Sequence, residues 1–215
     1  QEVVEEQYID LTSAFPEYSF FGLPDMPAGN RPVNLIMYRS TALELVAGGG
    51  YWLSETPHIP GSRSWESSCV RLVNWVRLIH TPSGREIRIV NTHLDHISQL
   101  AREQQARLVN EDASAYPGEL PQILTGDMNC DSSNEAIKAF LANGWHDTYE
   151  AVHGTLDPGH TYHAFRGPEF PSELDKIDWV FVRGDVATVG AEVITDAPGG
   201  RCPSDHYFVS ADIAL

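Results

Sequence analysis

Residues 70–96 read VRLVNWVRLIHTPSGREIRIVNTHLDH, and this stretch decides the fold. Apolar and polar residues alternate over residues 70–80 and again over residues 86–91, which is the pattern of half-buried strands. Residues 81–84 between them carry the Pro and Gly of a tight turn. We therefore predict an antiparallel hairpin whose second strand runs into polar residues at 91–96.

Outside this hairpin the sequence predicts more strands than helices. Helices are predicted at residues 2–14, 98–113 and 134–142, the last with Asn134 as its N-cap. Further strands are predicted at 18–22, 34–39, 43–47, 122–125, 177–182, 186–195 and 207–211, with glycines 48–50 ending the third. Residues 24–32 and 54–68 are predicted loops, and residues 145–176 show little regular pattern.

Many strands without a βαβ rhythm favour the mixed α/β (α+β) class, here a two-sheet β-sandwich flanked by helices. No internal repeat and no linker divides the chain. The sequence therefore predicts a single domain over residues 1–215.

Composition limits the kinds of partner. The 215 residues include 42% hydrophobic residues, 14 basic residues and 30 acidic residues, for a net charge of −16. Proteins that grip duplex DNA normally carry a basic footprint, so this charge disfavours duplex DNA, although solubility alone explains an acidic surplus equally well. No apolar run reaches the ~20 residues of a membrane span, and no signal-peptide pattern is present. Both cytoplasmic and secreted locations stay open.

The cysteines and histidines exclude several metal-site classes. Cys69, Cys130 and Cys202 are far apart without CxxC spacing, which excludes a zinc ribbon and a disulfide-dense scaffold but permits one disulfide. The nine histidines form no HExxH motif, so a zinc hydrolase is a weaker hypothesis.

Polar clusters occur where predicted strands end, at residues 91–96, 126–129 and 204–206. The Gly-Asp-Met-Asn cluster at 126–129 also suits an ordinary turn. Asp178 lies inside an apolar strand, where an unpaired carboxylate costs several kcal/mol. We therefore predict a partner for Asp178 in the Asp205-His206 region, as either a structural or a functional pair.

Taken together, these clusters suit hydrolysis at phosphorus. Attack by water needs a deprotonated nucleophile, neutralisation of the non-bridging oxygens and help for the leaving oxygen. A histidine oriented by a buried carboxylate serves as a base or proton carrier, and a second histidine can donate to a phosphate oxygen. Carboxylates with an amide oxygen form a site suited to Mg²⁺ or Mn²⁺.

The ordered set of motifs resembles the endonuclease/exonuclease/phosphatase superfamily, which implies a deoxyribonuclease I-like fold. The matching motifs are Gln1-Glu2, Tyr38-Arg39, Asn91-Thr92-His93-Leu94, Gly126-Asp127-Met128-Asn129, Ile177-Asp178 and Ser204-Asp205-His206. Residues 51–57, 61–65 and 161–165 resemble a generic bacterial branch of that superfamily with deadenylase-like features.

The resemblance implies roles for individual residues. Glu2 and Asp205 would lie at the metal, and His93 would contact the scissile phosphate. Asp127 would orient or deprotonate the attacking water and Asn129 would hold the water or the phosphate, while Asp178 would pair with His206, which would stabilise or protonate the phosphoryl group. The candidate substrate contacts are Arg39, Asn91, Arg71 and Trp65, although a salt bridge suits either arginine and a core-edge position suits the tryptophan.

Two departures from the family pattern carry expectations of their own. The family begins with a strand that carries an Asn and a helix ahead of the position of Glu2, and residues 1–215 lack that segment. We therefore expect either that the polypeptide is longer, with this strand and helix before Gln1, or that the form starting at Gln1 is poorly active with Glu2 mobile. The family's carboxylate partner for His93 falls at Pro32, with Asn30 and Asn34 nearby. An amide or another group is therefore predicted to hold His93.

These observations favour a Mg²⁺-dependent phosphoesterase, with Mn²⁺ as an alternative ion. The predicted substrate is a phosphorylated small molecule, a lipid head group or a short single-stranded nucleic acid. Two alternatives stay open: a catalytically inactive binding module on the same fold, and a nuclease or deadenylase acting on single strands.

Overall fold

The computed structural model describes residues 1–24, 33–171 and 175–215, and within these ranges it contains ten strands and four α-helices. The helices are α1 (Glu5–Ala14), α2 (Gln99–Ser114), α3 (Glu135–Ala142) and α4 (Thr148–His153). The strands are β1 (Tyr18–Phe21), β2 (Ile36–Arg39), β3 (Leu43–Trp52), β4 (Leu72–His80), β5 (Arg85–His93), β6 (Gln122–Asp127), β7 (His146–Asp147), β8 (Asp178–Arg183), β9 (Ala187–Ile194) and β10 (Phe208–Ala214).

A six-stranded sheet of order β3-β4-β5-β6-β8-β7 forms the centre. Strands β4 and β5 pair as the predicted antiparallel hairpin, with Val76 opposite Ile89. Strand β5 is parallel to β6, and β6 is antiparallel to β8. The pairing sets His93 opposite Asp127, and Asp127 opposite Asp178, so three polar residues form one row across the sheet.

The two faces of this sheet are covered differently. Helices α2 and α3 pack on one face, where Val90, Leu124 and Phe181 meet Val109 and Phe140 in the larger core. Side chains alternate between the two faces along a strand, so residues an odd number of positions from these core residues point to the opposite face. His93, Asp127 and Asp178 are each three positions from a core residue of their own strand. The site residues therefore lie on the face away from helices α2 and α3.

Two separate two-stranded sheets, β1–β2 and β9–β10, cover that opposite face in the described residues. Ile36 and Tyr38 of β2 pack against Val76 and Leu78 of β4. The predicted mixed fold of sheets flanked by helices is confirmed, with its second layer divided into these two small sheets.

The predicted helices are also present at close to their expected ends. Helix α2 is capped by Ser98, whose side chain accepts from the backbone N–H of Ala101, and Asn134 caps α3 in the same way through Ala136. The first helix starts at Glu5 rather than at residue 2. Most of the loop predicted at 24–32 lies outside the described residues.

Strand β3 corrects one prediction, because it continues through the glycines expected to end it. A β-carbon on Gly49 would lie 2.8 Å from the ring of Trp75, and one on Gly50 would overlap the carbonyl oxygen of Val73. These glycines therefore permit close contact inside a strand instead of ending it.

Residues 145–176 contain more structure than the sequence indicated, namely β7, α4 and a short 3₁₀ helix at Gly167–Glu169. Asp147 caps α4 through the backbone N–H of Tyr149 and also binds the Lys176 ammonium at 2.7 Å. The Asp-Thr pair at 147–148 was a helix-start signal that the prediction missed.

All three cysteines are free thiols, so the disulfide that their number permitted is not formed. Among the described residues, no helix has the length and apolar character needed to cross a bilayer.

Candidate active site

Four side chains meet at the ends of β5, β6 and β8 and at the start of β10. His206 Nδ1 lies 2.7 Å from Asp178 Oδ2, while His206 Nε2 lies 3.9 Å from Asp127 Oδ2. His93 Nε2 lies 3.2 Å from the same Asp127 oxygen. The structure thus pairs Asp178 with His206 and makes Asp127 the shared neighbour of two histidines.

The charges in this cluster shift each other's protonation. Burial raises the pKa of Asp127, but the hydrogen bond from His93 and the charges of His93 and His206 outweigh it, so the pKa is lowered. Burial lowers the pKa of His206, but the hydrogen bond and charge of Asp178 outweigh it, so that pKa is raised. The arrangement favours an ionised Asp127 beside a protonated His206.

A cavity of about 410 Å³ opens onto this cluster. Its lining includes Asp127, Asp178 and His206 together with Glu2 and Asp205. Glu2 is exposed, has a left-handed backbone with φ of 49°, and places a carboxylate oxygen 4.0 Å from His93 Nδ1. The structure therefore brings five of the predicted site residues to one concave surface.

Residues 161–164 support the Asp178–His206 pair from behind. The Thr161 hydroxyl accepts hydrogen bonds from the backbone N–H groups of Ile177, at 3.0 Å, and Asp178, at 3.1 Å. The Thr161 carbonyl oxygen accepts from the backbone N–H of Tyr207 at 2.8 Å, and that of Asp205 accepts from His163 at 2.8 Å. The sequence indicated residues 161–165 only through their resemblance to a bacterial branch of the family. No local pattern predicted that Thr161 connects the backbone of Asp178 to that of Tyr207.

Two predicted amide residues do not line the cavity. Asn129 donates its side-chain amide to the Leu94 carbonyl oxygen at 3.0 Å, and its backbone N–H binds Asp127 at 2.8 Å. Asn91 is buried, accepts from Thr125 and Gln1, and donates to the Leu35 carbonyl oxygen. In this structure both amides hold other site elements in place.

The remaining predicted substrate contacts are scattered. Arg39 is exposed on β2 and binds the Tyr18 hydroxyl at 3.0 Å, away from the cavity lining. Trp65 lies in the loop after β3, where its carbonyl oxygen accepts from Ser98. Arg71 lies closer, since Asp127 and Glu2 are among the negative groups that act on its charge.

The partner of His93 also differs from the expected family position. Asn34 does not reach His93, because its amide donates to the Leu72 carbonyl oxygen at 2.8 Å. Asn30 and Pro32 lie outside the described residues. Asp127 is the group that holds His93, with Glu2 on the other ring nitrogen.

With this geometry in place, comparison with known proteins is informative. Residues 13–206 match the Endonuclease/Exonuclease/phosphatase family. The chain belongs to this family. The family comprises hydrolases, with phosphatases and nucleases among them, and is generally dependent on divalent metal ions.

Solved structures of the family extend the comparison. A family protein from Bacteroides vulgatus is 30% identical with a TM-score of 0.89, over 100% of this chain and 83% of that one. A mannosyl-6-phosphatase from Bacteroides thetaiotaomicron is 30% identical with a TM-score of 0.87, over 98% and 82% of the two chains.

More distant structures show the fold alone. TDP2 from D. rerio, complexed with a single-strand DNA product, is 17% identical with a TM-score of 0.77, over 100% of this chain and 84% of that one. Among curated proteins, none matches the sequence significantly.

The donor set at the cavity fits the hard divalent ion that the family implies. The acidic residues Glu2, Asp127 and Asp205 line one cavity, and hard cations prefer carboxylate oxygen ligands. In the described chain, the one group of three acidic or histidine residues with ligand atoms within 4.8 Å is Asp127, Asp178 and His206. Because Asp178 already binds His206, Glu2 and Asp205 are the freer carboxylates.

Proposed function

We propose that this protein is a Mg²⁺-dependent phosphoesterase, with Mn²⁺ as an alternative ion. It hydrolyses a phosphate ester or phosphodiester by attack of water on phosphorus. The observation that carries the proposal is the meeting of Asp127, Asp178 and His206 at one cavity that Glu2 and Asp205 also line, with His93 behind it on Asp127. Membership of a hydrolase family supports it.

The proposed roles follow from the hydrogen bonds. Asp178 holds Nδ1 of His206, which turns Nε2 toward Asp127 and the cavity. Because its pKa is raised, His206 favours the protonated form and presents an N–H donor to a phosphoryl or leaving oxygen.

Asp127 lies on the Nε2 side of the His206 ring, away from Asp178, and His93 lies next to Asp127. With its pKa lowered, Asp127 stays ionised and orients or deprotonates the attacking water. His93, held through Nε2 by Asp127, contacts the scissile phosphate. Asn129 positions Asp127 through its backbone N–H.

Glu2 and Asp205 would hold the metal ion, with Asp127 beside them. The bound ion supplies positive charge that neutralises the non-bridging oxygens of the phosphate. A phosphorylated small molecule suits the cavity of about 410 Å³, and similarity to a mannosyl-6-phosphatase supports a phosphorylated sugar.

The test measures hydrolysis of a hexose 6-phosphate, a simple phosphodiester and a short single-stranded oligonucleotide, with Mg²⁺ or Mn²⁺ and with EDTA. We expect metal-dependent release of product from at least one substrate and none in EDTA. His206→Ala should lower turnover at least ~10²-fold, the usual scale for an acid–base group.

His80→Ala is the matched control, because His80 lies at the opposite end of β4 and its ring binds the Ser83 hydroxyl. Full activity in EDTA or in His206→Ala would overturn the mechanism. Binding of phosphate ligands without hydrolysis of any substrate would instead favour the inactive binding module.

A further inference from the structure

Arg71 is an unusual cation in this acidic chain. It is half-buried near the active site, yet no described carboxylate lies within ion-pair distance of its guanidinium. Its Nη2 binds His96 Nδ1 at 3.2 Å, and its buried Nε has no hydrogen-bond partner among the residues that the structure describes. Burial lowers the pKa of Arg71, while the charges of Cys69 and Asp95, and after them those of Asp127 and Glu2, act to raise it. The guanidinium therefore keeps unused donors within electrostatic reach of the reaction centre.

Two further donors lie next to it. His96 is exposed, and because a guanidinium can only donate, its Nδ1 accepts from Arg71 and its Nε2 carries the proton. Arg63 is also exposed and binds the Ser68 carbonyl oxygen at 3.1 Å, while the Ser68 hydroxyl lies 3.2 Å from His96 Nδ1. We call the two arginines, together with the neutral N–H donor His96, the cationic rim.

A single buried carboxylate holds this rim in place. One oxygen of Asp95 accepts from the Ser67 hydroxyl and from the backbone N–H and hydroxyl of Ser68. Its other oxygen accepts from the backbone N–H groups of Ile97 and Ser98. The loop that carries the rim is thus fixed to the segment between β5 and α2 through Asp95, two residues beyond His93.

The backbone of the same loop is strained. Trp65 and Glu66 both have φ of 57°, in the left-handed region that bulky side chains rarely adopt. Such strain persists only where the surroundings enforce it, and it concentrates at ligand sites. A pre-formed loop that presents two arginines and a histidine N–H is suited to binding an anion.

We propose that the cationic rim is a second anion subsite, which binds a phosphate group of the substrate other than the one that is hydrolysed. This inference rests on the proposed phosphoesterase function and narrows its substrate class to molecules with two phosphates. A dinucleotide and a sugar bisphosphate share that chemistry. The rim gives local attraction for the second phosphate on a chain whose net charge is −16.

The test compares ligands that differ by one phosphate. Equilibrium binding in Mg²⁺ is measured for mannose 6-phosphate against mannose 1,6-bisphosphate, and for thymidine 5′-phosphate against thymidine 3′,5′-bisphosphate. The variants are Arg71→Ala, Arg71→Lys and His96→Ala. Arg107→Ala is the matched control, because it removes one positive charge from an exposed ion pair on α2.

We expect Arg71→Ala and His96→Ala to weaken binding of at least one bisphosphate about 10-fold, and of its monophosphate less than about 3-fold, as for loss of a charge-assisted hydrogen bond. Arg71→Lys should recover part of the loss, because it keeps the charge but not the fork. If the variants weaken binding of the mannose bisphosphate, the second phosphate belongs to a sugar bisphosphate. If they weaken binding of the thymidine bisphosphate, it belongs to a nucleotide.

Equal effects on monophosphate and bisphosphate, or no effect on either, would overturn the subsite. Because His96 is exposed, its variant reports even if Arg71→Ala fails to fold. Binding does not require turnover, so loss of hydrolysis with every substrate would contradict the proposed function while leaving this comparison decisive.

Discussion

At the scale of single residues, Thr161 joins the two halves of the site. Its hydroxyl holds the backbone of Asp178 and its carbonyl holds that of Tyr207, next to His206. A side chain that acts through backbone N–H groups leaves no sequence signature. Asp178 could be predicted to have a partner because a buried charge requires one, whereas Thr161 could not be predicted to have any role.

Replacing Thr161 by Val keeps its shape and removes the acceptor of two buried N–H groups. We expect a loss of about 1–3 kcal/mol in the free energy of unfolding, the cost of unsatisfied buried donors. We also expect kcat to fall more than KM rises, because Asp178 would no longer be held against His206. Urea denaturation and steady-state kinetics measure the two effects.

Thr81→Val is the control, since the Thr81 hydroxyl is exposed in the β4–β5 turn. Unchanged kcat in a folded Thr161→Val variant would show that this residue supports stability alone.

Asp95 gives the clearest pH dependence. Burial raises its pKa, but hydrogen bonds from Ser98, Ser68 and Ile97 outweigh it and hold the pKa well below its ordinary value. The unfolded carboxyl titrates at about pH 3.9. A group whose pKa is depressed by folding stabilises the protein fully above that value and loses its contribution as pH falls toward the folded pKa.

Asp95→Asn should therefore lower the free energy of unfolding by about 2–4 kcal/mol at pH 7. The difference from the original protein should stay constant down to about pH 5 and shrink below about pH 4. Denaturation across this pH range tests it, with the exposed Asp10→Asn as control. A difference that grows on acidification would contradict the assignment.

At the scale of elements, the glycines of β3 make the strand possible. A β-carbon at Gly50 would overlap the Val73 carbonyl oxygen, whereas one at Gly118 would meet nothing within 4 Å. We expect Gly50→Ala to cost about 3 kcal/mol, as for overpacking against a backbone that cannot move aside. Gly118→Ala should change stability by less than about 0.5 kcal/mol. Thermal or urea denaturation measures the stability of both variants. Equal losses of stability in the two variants would contradict this explanation.

Elements with a strong periodic pattern or a cap were predictable, including the β4–β5 hairpin, helix α2, and helix α3 with its cap. Elements defined by tertiary contact were not. Strand β3 continues through glycines because Phe21, Trp75 and Val73 approach it closely, and no local pattern encodes those neighbours. Strand β7 has two residues, too few for any periodicity.

At the scale of the whole molecule, the order of strands assembles the site. His93, Asp127 and Asp178 adjoin because β5, β6 and β8 are neighbours. Placement at strand ends marked residues 91–96 and 126–129 as functional candidates, but the order of the strands was not predictable from the sequence. The exact use of each group was less accessible. Asn91 and Asn129 bind backbone and neighbouring side chains instead of lining the cavity, and Arg39 pairs with Tyr18, because partners in space decide among several uses of one side chain.

The net charge of −16 should determine how strongly nucleic acids bind to this protein. Duplex DNA brings about one negative charge per 1.7 Å, and at low salt its field reaches an acidic surface over a Debye length of about 10 Å or more. A short single strand is flexible and can present one or two phosphates to the cationic rim while the rest stays in solvent. We therefore expect duplex DNA to inhibit hydrolysis of a small phosphate ester about 10-fold more weakly than a single strand at equal phosphate concentration.

The measurement is inhibition at about 50 mM and about 150 mM salt, where the second condition screens more of the repulsion. The difference in inhibition between duplex and single-stranded DNA should become smaller as the salt concentration rises, because repulsion by the acidic surface causes that difference. A basic binding face would behave in the opposite way, with tight duplex inhibition at low salt that weakens steeply as salt is added. That result would show that a local basic surface matters more for DNA binding than the net charge of the chain, and duplex DNA would again be a candidate substrate.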